Sequence, residues 1–76
     1  MRTLREWRRE RLLSLADLAD KAGITEKTIG EIERGRARPQ LRTMRKITEV
    51  LGVEPKDVAE FAAAIAATDA DSTSAP

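Results

Sequence analysis

The stretch SLADLADKAGITEKTIGEIERGRARPQ, residues 14–40, decides the fold of this chain. It contains two short helical segments on either side of Ala22-Gly23-Ile24-Thr25, and the second segment is followed by a loop with three arginines. A helix, a tight turn that contains glycine, and a second helix with a basic exit are typical of small domains that place a helix in the major groove of DNA. The stretch therefore predicts a sequence-specific DNA-binding module.

Helical signals continue on both sides of this stretch. Thr3, Ser14 and Thr25 are helix N-caps, and Pro55 suits the first position of a last helix. The apolar residues of the fourth segment recur at helical spacing: Leu41, Met44, Ile47, Val50 and Leu51. The predicted helices span about 4–12, 15–22, 26–34, Leu41 to Gly52, and 55–66.

The end of the chain has a different composition. From Thr68 the sequence TDADSTSAP is small and polar and offers nothing to bury. The prediction is an all-α, compact five-helix domain over residues 1–67 with a disordered C-terminal tail over 68–76.

Charge is distributed unevenly along the 76 residues. Residues 1–48 hold 13 Lys and Arg against 7 Asp and Glu, whereas residues 49–76 hold 1 against 6. The net charge is therefore +6 in the front part and −5 in the rest, within a total of +1. A basic front indicates a polyanionic partner on one side of the domain, and the alternative is an ordinary solvated surface.

The missing residue types exclude several functions. The chain has no cysteine and no histidine, so disulfides and the usual zinc ligands are absent. We therefore expect that the protein is not an enzyme and that it has no catalytic residues, no metal site and no cofactor. No apolar run approaches the roughly 18 residues of a membrane span, and the start lacks a secretory signal. The expectation is a cytoplasmic protein without membrane contact, associated with the nucleoid when it binds DNA.

The region from Leu4 to Val58 resembles the lambda-repressor/Cro-type helix-turn-helix family, also called the XRE family. The resemblance covers about three quarters of the chain. It is carried by Leu-x-x-Trp-Arg at 4–8, SLADLA at 14–19, Lys21 to Thr25, Thr28-Ile29, Ile32-Glu33-Arg34-Gly35, Pro39, and Leu51-Gly52-Val53.

The resemblance implies that the helix over 26–34 enters the major groove while the start of the helix over 15–22 crosses the DNA backbone. If Ile29 and Ile32 point inward, the outward residues of this helix are Glu26, Lys27, Gly30, Glu31 and Arg34. Lys27 suits guanine, Glu26 or Glu31 suits the cytosine amino group, and Thr28 suits a phosphate or a thymine methyl. The alternative for Lys27 and Glu31 is a surface ion pair.

The basic exit of this helix is a candidate for phosphate contacts, because the arginine fork matches phosphate geometry. The alternative is a solvated loop. Leu15 stands where family members often carry a DNA-contacting glutamine, so it contacts a sugar or thymine methyl, or packs against the next helix. The complete set of expected DNA-binding residues is Ser14, Leu15, Thr25, Glu26, Lys27, Thr28, Glu31, Arg34, Arg36, Arg38 and Gln40.

Arg8 and Glu33 match a buried ion pair of the family, although the chemistry of Arg8 also permits a DNA contact. The last helix has an outer face of alanines, Ala63, Ala64, Ala66 and Ala67, that suits a homodimer. The leading expectation is a transcriptional repressor that binds double-stranded operator DNA as a dimer. The alternative is a protein-interaction module with a protein partner, such as an antitoxin or a coactivator.

Overall fold

A computed structural model describes the backbone of residues 1–74 and the side chains of residues 1–67. The predicted five-helix, all-α architecture is confirmed. The elements are α1 (Leu4–Glu10), α2 (Leu15–Ala22), α3 (Glu26–Glu33), α4 (Leu41–Leu51), a 3-10 turn (Pro55–Asp57) and α5 (Ala59–Ser74). None of these helices is long and apolar enough to cross a bilayer, as far as the described residues extend.

Hydroxyl caps begin the first three helices, as the sequence predicts. The hydroxyls of Thr3, Ser14 and Thr25 accept hydrogen bonds from the backbone N–H three residues later, at 3.2, 3.0 and 3.1 Å. In α1 and α2 the bond is reciprocal, because the carboxylates of Glu6 and Asp17 accept from the cap's own backbone N–H. These backbone hydrogen bonds lower the pKa of both carboxyl groups.

Helix α1 ends at Glu10, two residues earlier than the sequence predicts. The N–H of Leu13 donates to the carbonyl of Arg8 at 3.0 Å, and this bond ends the helix with one residue in the left-handed backbone conformation. That residue is Leu12, with φ of 57° and a side chain that is 90% exposed. A left-handed position is normally given to glycine, so the sequence carries no signal for this stop.

The start of the last helix also differs from the prediction. Pro55 begins a 3-10 turn, and Val58 is extended because its backbone forms an isolated parallel bridge with Arg2. The N–H of Ala59 then donates to the carbonyl of Arg2 at 2.9 Å. Helix α5 continues through Ser74, into the range where the sequence predicts a tail, and residues 75–76 lie outside the described residues.

The core collects apolar side chains from all five helices and from Val58. Its largest fully buried members are Leu4, Leu18, Ile29, Ile32, Met44, Ile47, Leu51, Val58 and Phe61. Leu41 is the exception within the predicted stripe of α4: it is 58% exposed. Leu41 is the first residue of α4 and directly follows the basic loop, and it does not belong to the core.

Candidate nucleic-acid interface

The turn between α2 and α3 holds the two helices in a defined relation. Gly23 closes α2 with φ of 70°, and the N–H of Ile24 donates to the carbonyl of Ala19 at 2.9 Å. Ala19 and Ala22 are buried, and small side chains there let α3 approach closely. The position of α3 therefore follows from residues 19–25 and not from its exposed residues.

A stripe of polar side chains runs along the outer face of α3. Lys27, Glu31 and Arg34 are spaced by four and three residues and share one face of the helix, and Glu26 lies beside them. Glu26, Lys27 and Arg34 are exposed and Glu31 is half-buried, as the sequence predicts. We call Glu26, Lys27, Glu31 and Arg34 the α3 stripe.

Glu31 forms an ion pair with Arg34 and not with Lys27, the alternative partner that the sequence offers. A carboxylate oxygen of Glu31 lies 3.7 Å from the Nη2 atom of Arg34. Lys27 is exposed and takes no part in this pair. Its ammonium group is thus presented to solvent at the N-terminal end of the helix.

Gly30 lies on the outer face of α3, at a spacing of four residues from Glu26 and from Arg34, but it is not exposed to solvent. The residue is buried, because the guanidinium of Arg34 folds back over it. A Cβ atom at position 30 would stand 3.2 Å from Nη2 and 3.3 Å from Nη1 of Arg34. The close approach of Gly30 is therefore to a side chain of its own helix.

Hydroxyl groups stand at the starts of α2 and α3. The Ser14 oxygen accepts from a backbone N–H, so its own proton remains available as a donor. The oxygens of Thr25 and Thr28 are 2.8 Å apart, and only one of their two hydroxyl protons lies between them. Each helix start therefore presents one free hydroxyl donor, a group suited to a phosphate oxygen.

The basic exit of α3 contains the exposed residues Arg36, Arg38 and Gln40. The loop is tied to α3, because the N–H of Arg36 donates to the Glu31 carbonyl at 2.8 Å. Arg38 and Gln40 line a crevice of about 290 Å³ together with Thr28. The structure thus brings together three predicted residues that are up to twelve positions apart in the sequence.

Two further depressions adjoin α3. Arg36 and Arg38 border one of about 380 Å³ that reaches Glu60 and the alanines of α5. Leu15 and Arg34 border another of about 290 Å³. Leu15 is half-buried and packs against the core, in agreement with the packing role weighed for it.

Two residues at these depressions do not belong to the set of DNA-binding residues that the sequence predicts. Thr43 lines the crevice of Arg38 and Gln40, and Arg5 lines the crevice of Leu15. Thr43 stands in the first turn of α4, a part of a helix that favours negative charge, and Arg5 precedes Arg8 by three residues. Those spacings are the signals that would have found them.

Arg8 and Glu33 form the ion pair that the resemblance implies, and the prediction is confirmed. Arg8 donates from Nε and Nη2 to the two carboxylate oxygens of Glu33, at 2.8 and 3.2 Å. Its Nη1 donates to the carbonyl of Leu13 at 3.0 Å. The side chains are only 12% and 10% exposed, so the pair joins α1 to α3 out of solvent.

The chemistry of this surface is donation of hydrogen bonds and positive charge. Its polar side chains are arginine, lysine, hydroxyl and amide groups, with Glu26 and Glu31 as the carboxylate acceptors. Such a set matches phosphate oxygens and the edges of bases in the major groove. It includes no thiol and no imidazole.

Comparisons with known proteins give matches in the same region. A family model described as helix-turn-helix matches residues 4–58. The HTH-type transcriptional regulator DdrOP3 of Deinococcus deserti is 39% identical over 57 residues, which cover 75% of this chain and 44% of that protein. No solved structure matches the chain significantly.

Two relatives come from Methanothermobacter thermautotrophicus. An uncharacterized HTH-type transcriptional regulator is 44% identical over 55 residues, or 71% of this chain and 80% of that protein. A putative HTH-type transcriptional regulatory protein is 46% identical over 52 residues, or 68% of this chain and 17% of that protein. The chain thus spans less than half of the length of two of these three relatives.

Proposed function

Because this chain belongs to the helix-turn-helix family, we propose that it is a transcriptional regulator that binds double-stranded DNA in a sequence-specific manner. The single observation that carries the proposal is the α3 stripe, a row of outward-facing polar side chains on a helix whose position is set by buried contacts. In this geometry the N-terminal half of α3 reaches base edges, so Lys27 and Glu26 are the first candidates for reading sequence.

Phosphate contacts surround the α3 stripe in this proposal. Ser14 and Thr25 donate hydroxyl protons at the two helix starts, and Arg36, Arg38 and Gln40 contact the backbone beyond the exit of α3. The crevice that joins Arg38 and Gln40 to Thr28 supports this assignment, because it places donors from α3 and from the loop before α4 next to each other. Contacts of this kind position a protein on DNA without reading its sequence.

The regulator acts as a repressor and binds as a dimer in our proposal. Occupying a promoter blocks polymerase without any chemistry, which agrees with the absence of histidine and cysteine. Of the four alanines expected on the outer face of α5, Ala64 is instead buried in the core, whereas Ala63 and Ala66 are exposed. The smooth face that remains suits contact with a second copy. A two-fold dimer presents two α3 helices to half-sites about 34 Å apart.

DNA binding is tested by fluorescence anisotropy on duplexes selected from a random pool, at several salt concentrations. Binding should weaken with salt at a log–log slope of about −0.9 per phosphate contact. Arg36→Ala should weaken selected and scrambled duplexes equally and reduce the slope by about one contact. Lys56→Ala, which removes the same charge at the 3-10 turn, is the matched control and should leave affinity nearly unchanged.

The same preparation separates the competing functions. A folded wild type that binds no duplex at any salt concentration contradicts the proposal and favours the protein-interaction module. The dimer is tested separately by sedimentation equilibrium. Ala66→Glu should sediment with the mass of a single chain, because it places a charge in the proposed dimer contact. The control Lys56→Glu introduces a glutamate outside α5 and should leave the dimer intact. A wild type that is monomeric and binds a single half-site refutes the dimer and leaves DNA binding in place.

A further inference from the structure

We infer that Arg34 reads a guanine in the major groove, and that Gly30 is the residue that seats its guanidinium. This assignment rests on the proposed DNA-binding function and deepens it. Arg34 follows the last residue of α3, where an arginine is expected to contact a phosphate together with the basic exit. The structure places its guanidinium elsewhere.

The guanidinium of Arg34 lies one helical turn before its own Cα atom. Side chains on a helix lean toward the N-terminus, so a long side chain at position 34 covers position 30. Its two Nη atoms are at Gly30, in the middle of α3 and between the Glu26 and Glu31 positions. The guanidinium therefore lies one turn closer to the N-terminal half of α3, which reaches base edges in this binding mode.

Gly30 leaves room for this placement. Any Cβ atom there would stand 3.2 Å from Nη2, closer than ordinary van der Waals contact, and the guanidinium would have to move. A glycine within a helix costs about 1 kcal/mol relative to alanine. We attribute the presence of glycine at this position, despite that cost, to the space that its backbone leaves for the guanidinium of Arg34.

Glu31 orients the guanidinium of Arg34 over Gly30. Its carboxylate oxygen is 3.7 Å from Nη2 of Arg34, close enough to attract one edge of the group. The Arg34 side chain is still 54% exposed, so N–H donors remain free on the outer edge. A planar group held this way offers the paired donors that match O6 and N7 of guanine.

Arg36 and Arg38 lack these restraints. They are exposed in the loop after α3, beyond the helix itself, so their expected partners are phosphates. The inference therefore separates one arginine that selects sequence from two that add affinity to every duplex.

The test is selection of binding sites from a random duplex pool with wild type, Arg34→Ala and Arg34→Lys. We expect a guanine in the wild-type preference that Arg34→Ala loses at one position of the half-site. Affinity for the selected duplex should fall by about 10- to 100-fold, in the range for a bidentate base contact. Arg34→Lys retains the charge without the fork and should recover only a small part of the guanine preference.

A modified base gives an independent readout. Replacing the selected guanine by 7-deazaguanine removes the N7 acceptor, so it should weaken wild type severalfold and Arg34→Ala not at all. Gly30→Ala should melt no lower than wild type, because alanine favours the helix, yet it should reduce the preference for guanine. In the Arg34→Ala background the same change should have no effect on DNA binding.

Three outcomes overturn the inference. These are a wild-type preference without guanine, an unchanged preference in Arg34→Ala, and an equal loss of affinity for all duplexes in that variant. The last result would make Arg34 a phosphate contact like Arg36. Each of them leaves the proposed function standing, whereas a folded wild type that binds no duplex refutes the proposed function itself.

Discussion

Replacing Arg8 by alanine should unfold this domain more readily, because Arg8 is the partner of a carboxylate that lies out of solvent. The arginine donates two hydrogen bonds to Glu33 and one to the carbonyl of Leu13. In Arg8→Ala the Glu33 carboxylate, only 10% exposed, loses its counter-ion. The Leu13 carbonyl loses its side-chain donor at the same time.

The expected cost is about 3 kcal/mol of unfolding free energy, the lower end of the range for breaking a buried pair by removing one partner. The lower end applies because both side chains retain a tenth of their surface in solvent. A domain of this size has a total stability of about 4–11 kcal/mol, so the loss is a large fraction of it. At about 4–8 °C per kcal/mol, the midpoint of thermal unfolding should fall by about 12–24 °C.

The measurement is thermal and urea unfolding followed by circular dichroism. Arg9→Ala is the matched control, since Arg9 is an exposed arginine on the same helix and its loss should change stability by less than about 0.5 kcal/mol. The double variant Arg8→Met with Glu33→Leu removes both charges and should recover much of the stability.

The reasoning is refuted if Arg8→Ala melts like wild type. If that variant also loses DNA affinity, Arg8 is a DNA contact and not a structural residue. A double variant that is less stable than Arg8→Ala would show that the isolated carboxylate is not the source of the cost.

Three further predictions concern recognition, backbone strain and pH. Lys27→Ala should cost about 1–3 kcal/mol on the preferred duplex and relax selection at one base pair, whereas an unchanged preference in site selection would limit Lys27 to phosphate contact. Leu12→Gly should raise the unfolding free energy by about 0.5–1 kcal/mol in urea titrations, because it relieves a left-handed backbone and removes little buried surface; a destabilised variant would contradict this. The carboxyl groups of Glu6 and Asp17 have lowered pKa values in the folded state, so their stabilisation is present above their ordinary pKa, near pH 4, and is lost as pH falls through the lowered value. In acid titrations monitored by circular dichroism, Glu6→Gln should therefore show a shallower loss of stability than wild type, and identical acid profiles would argue against the linkage.

The sequence predicts the first three helices well because their signals are local. A hydroxyl cap, a carboxyl group three residues later and a glycine at the turn all act within one or two helical turns, so the start and end of α2 are read directly. The hydrophobic spacing of α4 works for the same reason, and fails only at Leu41, where the helix has just begun.

The error at the start of α5 comes from contacts between distant residues. Val58 is extended because its backbone pairs with Arg2, and the N–H of Leu4 donates to the Glu60 carboxylate at 2.8 Å, a partner 56 residues away. The indole N–H of Trp7 similarly donates to the carbonyl of Asp57 at 2.9 Å. Spacing within a short window carries no information about such pairs, so the start of α5 was misplaced.

The α3 stripe was predicted as a set of positions, but its internal arrangement was not. Helical periodicity shows which residues face outward. It does not show that an arginine at the end of the helix returns over Gly30 and pairs with Glu31. The conformation of a long side chain depends on the space that its neighbours leave, which is a property of the folded backbone.

Glu31 connects recognition to the loop that follows. Its carboxylate attracts the guanidinium of Arg34, while its backbone carbonyl accepts the N–H of Arg36. The carbonyl bond survives any substitution of the side chain, so the path of the basic exit is independent of the residue chosen at position 31. The orientation of Arg34 does depend on that residue, because the carboxylate supplies the attraction. In the proposed binding mode the two tasks are therefore separate: side chains of the α3 stripe would select base pairs, while the backbone carbonyl of Glu31 holds the loop that we propose contacts phosphates.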